Sequence, residues 1–125
     1  MNPASADPAA VVQAQLDAYN AHDVEALLAA YAEDAQQFEH PARLLATGSD
    51  QLRARYTARF QDPRLRAVLV KRMVAGSVVV DQEEMTCTFP EGPGRLGLIA
   101  IYEVREGRIA QAWFIFGTKT LEPKS

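Results

Sequence analysis

The chain has 125 residues, 48% of them apolar and 23% charged, which suits one globular domain and excludes disorder over most of its length. Thirteen Lys and Arg against sixteen Asp and Glu give a net charge of −3, leaving no basic excess for sequence-independent nucleic-acid binding. The single cysteine, Cys87, excludes an intramolecular disulfide and a cysteine-built metal cage. Residues 1–8 read as a flexible arm with neither the basic region nor the apolar run of a secretory signal. No stretch approaches the roughly 20 apolar residues needed to cross a bilayer. We therefore expect no membrane partner, and the cytoplasm as the default compartment.

Asp7 is placed to cap a first helix, with Pro8 at its first position, where a missing N–H costs nothing. Val12, Leu16 and Tyr19 follow at helical spacing. After the break at Asn20-Ala21-His22-Asp23, Asp23 is placed to cap a second helix carrying Val24, Leu27, Leu28 and Tyr31 on one face. Ala35 to His40 reads as a short strand running into a loop, because Pro41 biases His40 away from the α region. Thr47-Gly48-Ser49-Asp50 opens a third helix with Ser49 as the expected cap. Its apolar stripe is Leu52, Tyr56 and Phe60, with Arg53, Arg55 and Arg59 placed away from it, and Asp62-Pro63 ends it.

From Leu65 onward the pattern is that of strands: Leu65 to Val74, Val78 to Phe89, Leu96 to Val104 and Arg108 to Phe116. Pro90 to Gly94 reads as a loop, Arg105-Glu106-Gly107 as a tight turn, and residues 118–125 as a tail. Helices followed by a meander of long strands predict an α+β domain over residues 9–117, with the helices on one face of an antiparallel sheet. In the last strand Ile109, Gln111, Trp113 and Ile115 point one way, and Ala110, Ala112, Phe114 and Phe116 the other. Both rows are largely apolar, so both sheet faces are expected to be covered. Helices cover one. For the other we expect a second subunit, with Trp113 at the interface, rather than a C-terminal segment folded across it.

Several strings resemble the NTF2-like superfamily, in its SnoaL-like or ketosteroid-isomerase-like branch. They are Tyr19 to Leu27, Tyr31 to Ala35, Phe38 to Pro41, the Gly48-containing helix start and the hairpin Ile101 to Ile109. The resemblance implies a cone: about three N-terminal helices packed on a strongly curved, mostly antiparallel sheet, with an apolar pocket at one end. It also implies a homodimer through the outer sheet face. In ketosteroid isomerase an Asp in an Asp-Pro pair moves the proton, while a Tyr and a protonated Asp hold the oxyanion. Here Glu39-His40-Pro41 stands at that place, so the resemblance implies His40 as general base. The oxyanion positions fall at Gln15 or Leu16 and near Ala100, so those donors do not carry over.

The expected lining of the pocket is Gln15, Tyr19, Tyr31, Phe38, Tyr56, Phe60, Ala100, Ala112, Phe114 and Phe116, small residues facing aromatic ones. The expected partner is a small apolar molecule, for which proton transfer (isomerisation), or cyclisation or hydration, is one reading. Binding or dimerising without catalysis is the other. His22 is expected to be a solvated surface group. With two histidines at no ligand spacing, no metal and no cofactor are expected. Asp81-Gln82-Glu83-Glu84 sets three acids within one strand, Asp81 and Glu83 on the same face. We read them as a charged, exposed edge or bulge. The alternatives are an acid at the pocket mouth, or an ion pair between subunits with Arg72 or Lys71.

Overall fold

The structure, a computed structural model, describes residues 7–123. The arm expected over residues 1–8 thus lies mostly outside the described residues, as does the end of the expected tail. Among the described residues three helices, α1 (Pro8–Asn20), α2 (Val24–Ala29) and α3 (Gly48–Arg59), pack against one sheet of six strands. These are β1 (Tyr31–Glu39), β2 (Arg43–Thr47), β3 (Arg66–Ala75), β4 (Val78–Phe89), β5 (Gly92–Arg105) and β6 (Arg108–Leu121). Their order is β2-β1-β6-β5-β4-β3, and every neighbouring pair is antiparallel except β1 with β6. The architecture is the expected α+β one: helices against a curved, mostly antiparallel, open sheet.

Both aspartate caps form: the Asp7 carboxylate accepts from the Ala9 N–H at 3.1 Å, and that of Asp23 from Ala26 at 3.0 Å. The third cap does not. Thr47, not Ser49, occupies the cap position, and Gln51 Oε1 satisfies the Thr47 N–H instead. Helix α2 ends before Tyr31, which starts β1 rather than extending the helical face. Strand β2 occupies the stretch after Pro41 that reads as loop. Strand β5 begins within the Pro/Gly-rich stretch, and β6 runs five residues past Phe116. The segment after Phe116 therefore extends the sheet instead of crossing its outer face. The Arg105 to Arg108 turn matches expectation: Glu106 and Gly107 both take positive φ, +53° and +77°, as a two-residue hairpin requires.

One irregularity changes which side chains share a face. In the β5–β6 ladder Val104 pairs with Ile109 but Glu103 pairs with Gln111, so Ala110 is an extra residue. Past this bulge the alternation is as read: Ala112 and Phe114 face inward, Gln111, Trp113 and Ile115 outward. Before it, Ile109 turns inward and is fully buried, which corrects its expected place in the Trp113 row.

On the outer face the registers align one apolar residue from every strand: Leu44, Phe38, Trp113, Ile101, Val80 and Met73. The Phe38 and Trp113 rings stack, with centroids 5.9 Å apart. Leu44 and Met73, at the two ends, are 49% and 56% exposed, so the row continues to the sheet's edges without cover from the described residues.

The close approach of β5 to the end of β6 depends on Gly94. A Cβ there would lie 2.5 Å from the Thr120 carbonyl oxygen and 3.1 Å from the Phe89 ring, whereas one at Gly97 would meet nothing within 4 Å. Gly94→Ala is expected to destabilise the fold by about 1–3 kcal/mol through overpacking. Gly97→Ala should change stability by less than about 0.5 kcal/mol. Urea denaturation of both variants checks the contrast.

Candidate functional site

Between the helices and the inner sheet face lies a narrow cavity of about 40 Å³. Five elements supply its wall. Helix α1 gives Gln15, Leu16 and Tyr19; α3 gives Arg55, Tyr56 and Arg59. The sheet gives Glu83 and Met85 from β4, Leu98 and Tyr102 from β5, and Phe114 and Phe116 from β6. Its volume is enough for one to a few water molecules.

The acids define the floor. Strand alternation sets Val79, Asp81, Glu83, Met85 and Cys87 on the inner row of β4, all of them buried. Asp81 and Glu83 are therefore not an exposed edge, and the expectation of one is corrected. Asp81 is fully buried and clamped by Arg72 from the adjacent strand of the same chain, Nε to Oδ1 at 2.7 Å and Nη2 to Oδ2 at 2.9 Å. Arg72 also donates to Gln13 Oε1 at 3.0 Å, which ties the pair to α1. The intersubunit pairing weighed for Arg72 is thus met within one chain. A bidentate arginine is what such an acid needs, and breaking a buried pair of this kind typically costs about 3–5 kcal/mol.

Glu83 has no such clamp. Burial, then repulsion from Asp81, raises its carboxyl to about 7, against the pull of Arg72. The phenol of Tyr102 is pushed well above the usual range by its burial, with Glu83 adding to the effect. Among the described residues no side chain engages the Tyr102 hydroxyl. Tyr19 differs: its hydroxyl donates to Met85 Sδ at 3.3 Å and accepts from Arg59 Nη2 at 3.1 Å. Burial pushes this phenol up to about 12, though Arg59 opposes the rise.

The expected lining divides. Gln15, Tyr19, Tyr56, Phe114 and Phe116 line the cavity. Tyr31, Ala100 and Ala112 are buried in the core beside it, and Phe60 packs behind Tyr19 and Tyr56. Phe38 lies on the outer face against Trp113. His40 is exposed at the turn after β1 and is not among the cavity residues; its backbone N–H donates to the Phe114 carbonyl at 2.8 Å. In β1 the inward parity belongs to Ala35 and Gln37, and His40 falls on the parity of Phe38. Gln37 is fully buried and donates to the Tyr31 and Tyr56 hydroxyls at 3.0 and 2.7 Å. His22 is half-buried rather than solvated. Its Nε2 sits 2.7 Å from the Leu65 carbonyl, and its ring stacks on Phe60 at 5.1 Å.

Glu83, Tyr102, Met85, Leu98, Arg55 and Arg59 were not among the expected site residues. For Glu83 the signal is in the alternation: its row also holds Val79, Met85 and Cys87, which belong inside. For the arginines it is helical spacing, since Arg55 follows Leu52, and Arg59 follows Tyr56, by three residues. Both guanidiniums flank the apolar stripe instead of opposing it.

A cone of this architecture with a cavity between helices and sheet defines a class of small α+β pocket domains. The model of the SnoaL-like domain matches residues 12–112, and the chain belongs to that family. A search of curated proteins finds no match. Among solved structures, an uncharacterized cystatin fold protein from Novosphingobium aromaticivorans is similar with a TM-score of 0.82 at 21% identity, covering 89% of this chain and 99% of its own. An NTF2-like protein of unknown function from Burkholderia pseudomallei gives a TM-score of 0.75 at 17% identity, covering 89% and 91%. A hypothetical protein with ketosteroid isomerase-like fold from Catenulispora acidiphila, in complex with trimethylamine, gives 0.72 at 17%, covering 83% and 82%. These likenesses establish the NTF2-like fold. Among the described residues no helix is long and apolar enough to cross a membrane.

The raised Glu83 carboxyl couples stability to pH. Its folded value of about 7 lies above the ordinary 4.5, so the folded state holds the proton more tightly than the unfolded one. Stability from this group is complete below pH 4.5 and is lost as pH rises through 7, on the order of 3 kcal/mol in all. Glu83→Gln is expected to remove that loss. Denaturation midpoints of both proteins at pH 5 and pH 8 check it: the variant should gain on wild type at the higher pH.

Proposed function

We propose that the cavity binds a small, mostly apolar carbonyl compound and moves a proton on it, with Glu83 as the base. The observation that carries this is a buried, unclamped carboxyl on the cavity wall that titrates near neutrality, because such a group both takes and returns a proton at working pH. Its carboxylate would remove a proton from the carbon beside the carbonyl, leaving the electron pair as an enolate, and return the proton at another carbon. The free Tyr102 hydroxyl is the group suited to donate to the enolate oxygen. Exposed and outside the cavity, His40 lacks the geometry for this step. The relative in complex with trimethylamine agrees with a role for a small guest in this fold. The narrowness of the cavity favours a second reading, binding without turnover.

Exchange of α-hydrogens of small ketones such as cyclopentanone in D2O, followed by proton NMR, separates the two. Glu83→Gln is expected to slow enzyme-dependent exchange by about 10²–10⁴-fold, with His40→Ala unchanged. Ketone binding without any such exchange would favour the second reading, and exchange indifferent to Glu83 would end the first.

The apolar row across the outer face is suited to a second copy of the chain, and we propose a homodimer there. Trp113→Arg is expected to shift the protein from dimer to monomer in sedimentation at micromolar concentration. Wild type sedimenting only as monomer would remove this proposal.

A further inference from the structure

We infer that the molecule bound in the cavity carries an anionic group, a carboxylate in the simplest case, held by Arg55 and Arg59 while its apolar body lies against Leu98, Phe114 and Phe116. The inference rests on the cavity being a ligand site and narrows its substrate class to small organic acids.

The arginines of the chain sort by environment. Arg43, Arg53, Arg64, Arg72 and Arg95 each pair with a carboxylate. Those that pair with none elsewhere, Arg66, Arg105 and Arg108, are exposed to water. Arg55 and Arg59 are neither: both are half-buried in the cavity wall, and among the described residues neither forms an ion pair. Arg59 spends Nη2 on the Tyr19 hydroxyl and Met85 sulfur, partners that leave its charge uncompensated. The guanidinium of Arg55 lies 5.7 Å from the Tyr56 ring centre, and its Nε is buried with no hydrogen-bond partner among the described residues. Two half-buried cations one helical turn apart, with no counter-ion among the described residues, are costly unless an anion joins them. Guanidinium groups suit a carboxylate through their paired N–H donors.

A second observation marks the same cavity as built for a polar guest. Gln15 is 4% exposed, lines the cavity, and leaves its Oε1 without a partner among the described residues. A buried amide oxygen of this kind calls for a donor, such as a ligand hydroxyl. Size sets a further limit. With about 40 Å³ available, any body beyond a few heavy atoms must displace a wall residue. Phe116, 38% exposed, is the most exposed aromatic side chain of the wall, and its ring stacks on that of Phe114.

Calorimetric titration of the intact chain at low salt, with butanoate and benzoate against butanamide and benzamide, tests the inference. Each carboxylate is expected to bind about tenfold or more tightly than its neutral amide, with the preference shrinking as salt is added. Arg55→Gln and Arg59→Gln should each lose about tenfold in carboxylate affinity and none for the amides, while Arg59→Lys retains part of it. Equal binding of acid and amide by the wild-type protein overturns the inference, and so does a failure of the acids to bind up to about 10 mM. That comparison needs no variant to fold. Glu83→Gln separates this inference from the proton-transfer reading. Anion preference that survives in a variant whose parent shows no ketone exchange supports the inference and sinks the reading. Glu83-dependent exchange without anion preference does the reverse.

Discussion

A fully buried carboxylate is tolerable only with a partner that replaces the water it has lost, and the inner face of this sheet is organised around one. Asp81 has no exposure, and Arg72 meets it with two hydrogen bonds. The salt bridge crosses from β4 to β3 and continues through Gln13 into α1, so one charge pair joins the sheet's far strands to the first helix. With Asp81 satisfied in this way, strand geometry places a second acid two residues along on the same face. Glu83 is buried as well, without a clamp and close to the charge of Asp81, and its high affinity for a proton follows from both.

The opposite end of the interior is polar for a different reason. Gln37 joins the Tyr31 and Tyr56 hydroxyls, so β1 and α3 are fastened by neutral hydrogen bonds. Tyr19 completes the set through its edge-on contact with Tyr56, centroids 6.2 Å apart. The cavity lies where these two polar systems, one ionic and one neutral, fail to meet. Apolar side chains from β5 and β6 close the gap only in part.

The fold was legible because its signals are local: aspartate caps, the two-residue turn at Glu106-Gly107, and long β-branched runs. The family strings gave the cone. What escaped depends on pairing between distant segments. Ala110 reads as an ordinary strand residue, and only its register against β5 makes it a bulge and turns Ile109 inward. Strand β2 is a five-residue partner for β1, too short and too near a proline to announce itself. The site was half legible. Aromatic residues and Gln15 marked the cavity, but His40 misled because a matching position next to a proline says nothing about strand parity. Charged residues were assigned to the surface by default, which misplaced Asp81, Glu83, Arg55 and Arg59. Each sits at a spacing shared with apolar neighbours, and that spacing outweighs charge.

The parallel pairing of β1 with β6 has a consequence for how the chain reaches this arrangement. More than seventy residues separate Gln36 from its partner Gln111. Strand β6, the last in sequence, is the one that joins the β1–β2 hairpin to the β3 to β5 meander, so the six-stranded sheet is complete only once the C-terminal strand is added. The pairings that join the two parts of the sheet are therefore non-local in sequence. The cavity, whose wall includes Phe114 and Phe116 of β6 beside residues of α1, α3, β4 and β5, is likewise complete only with that last strand in place.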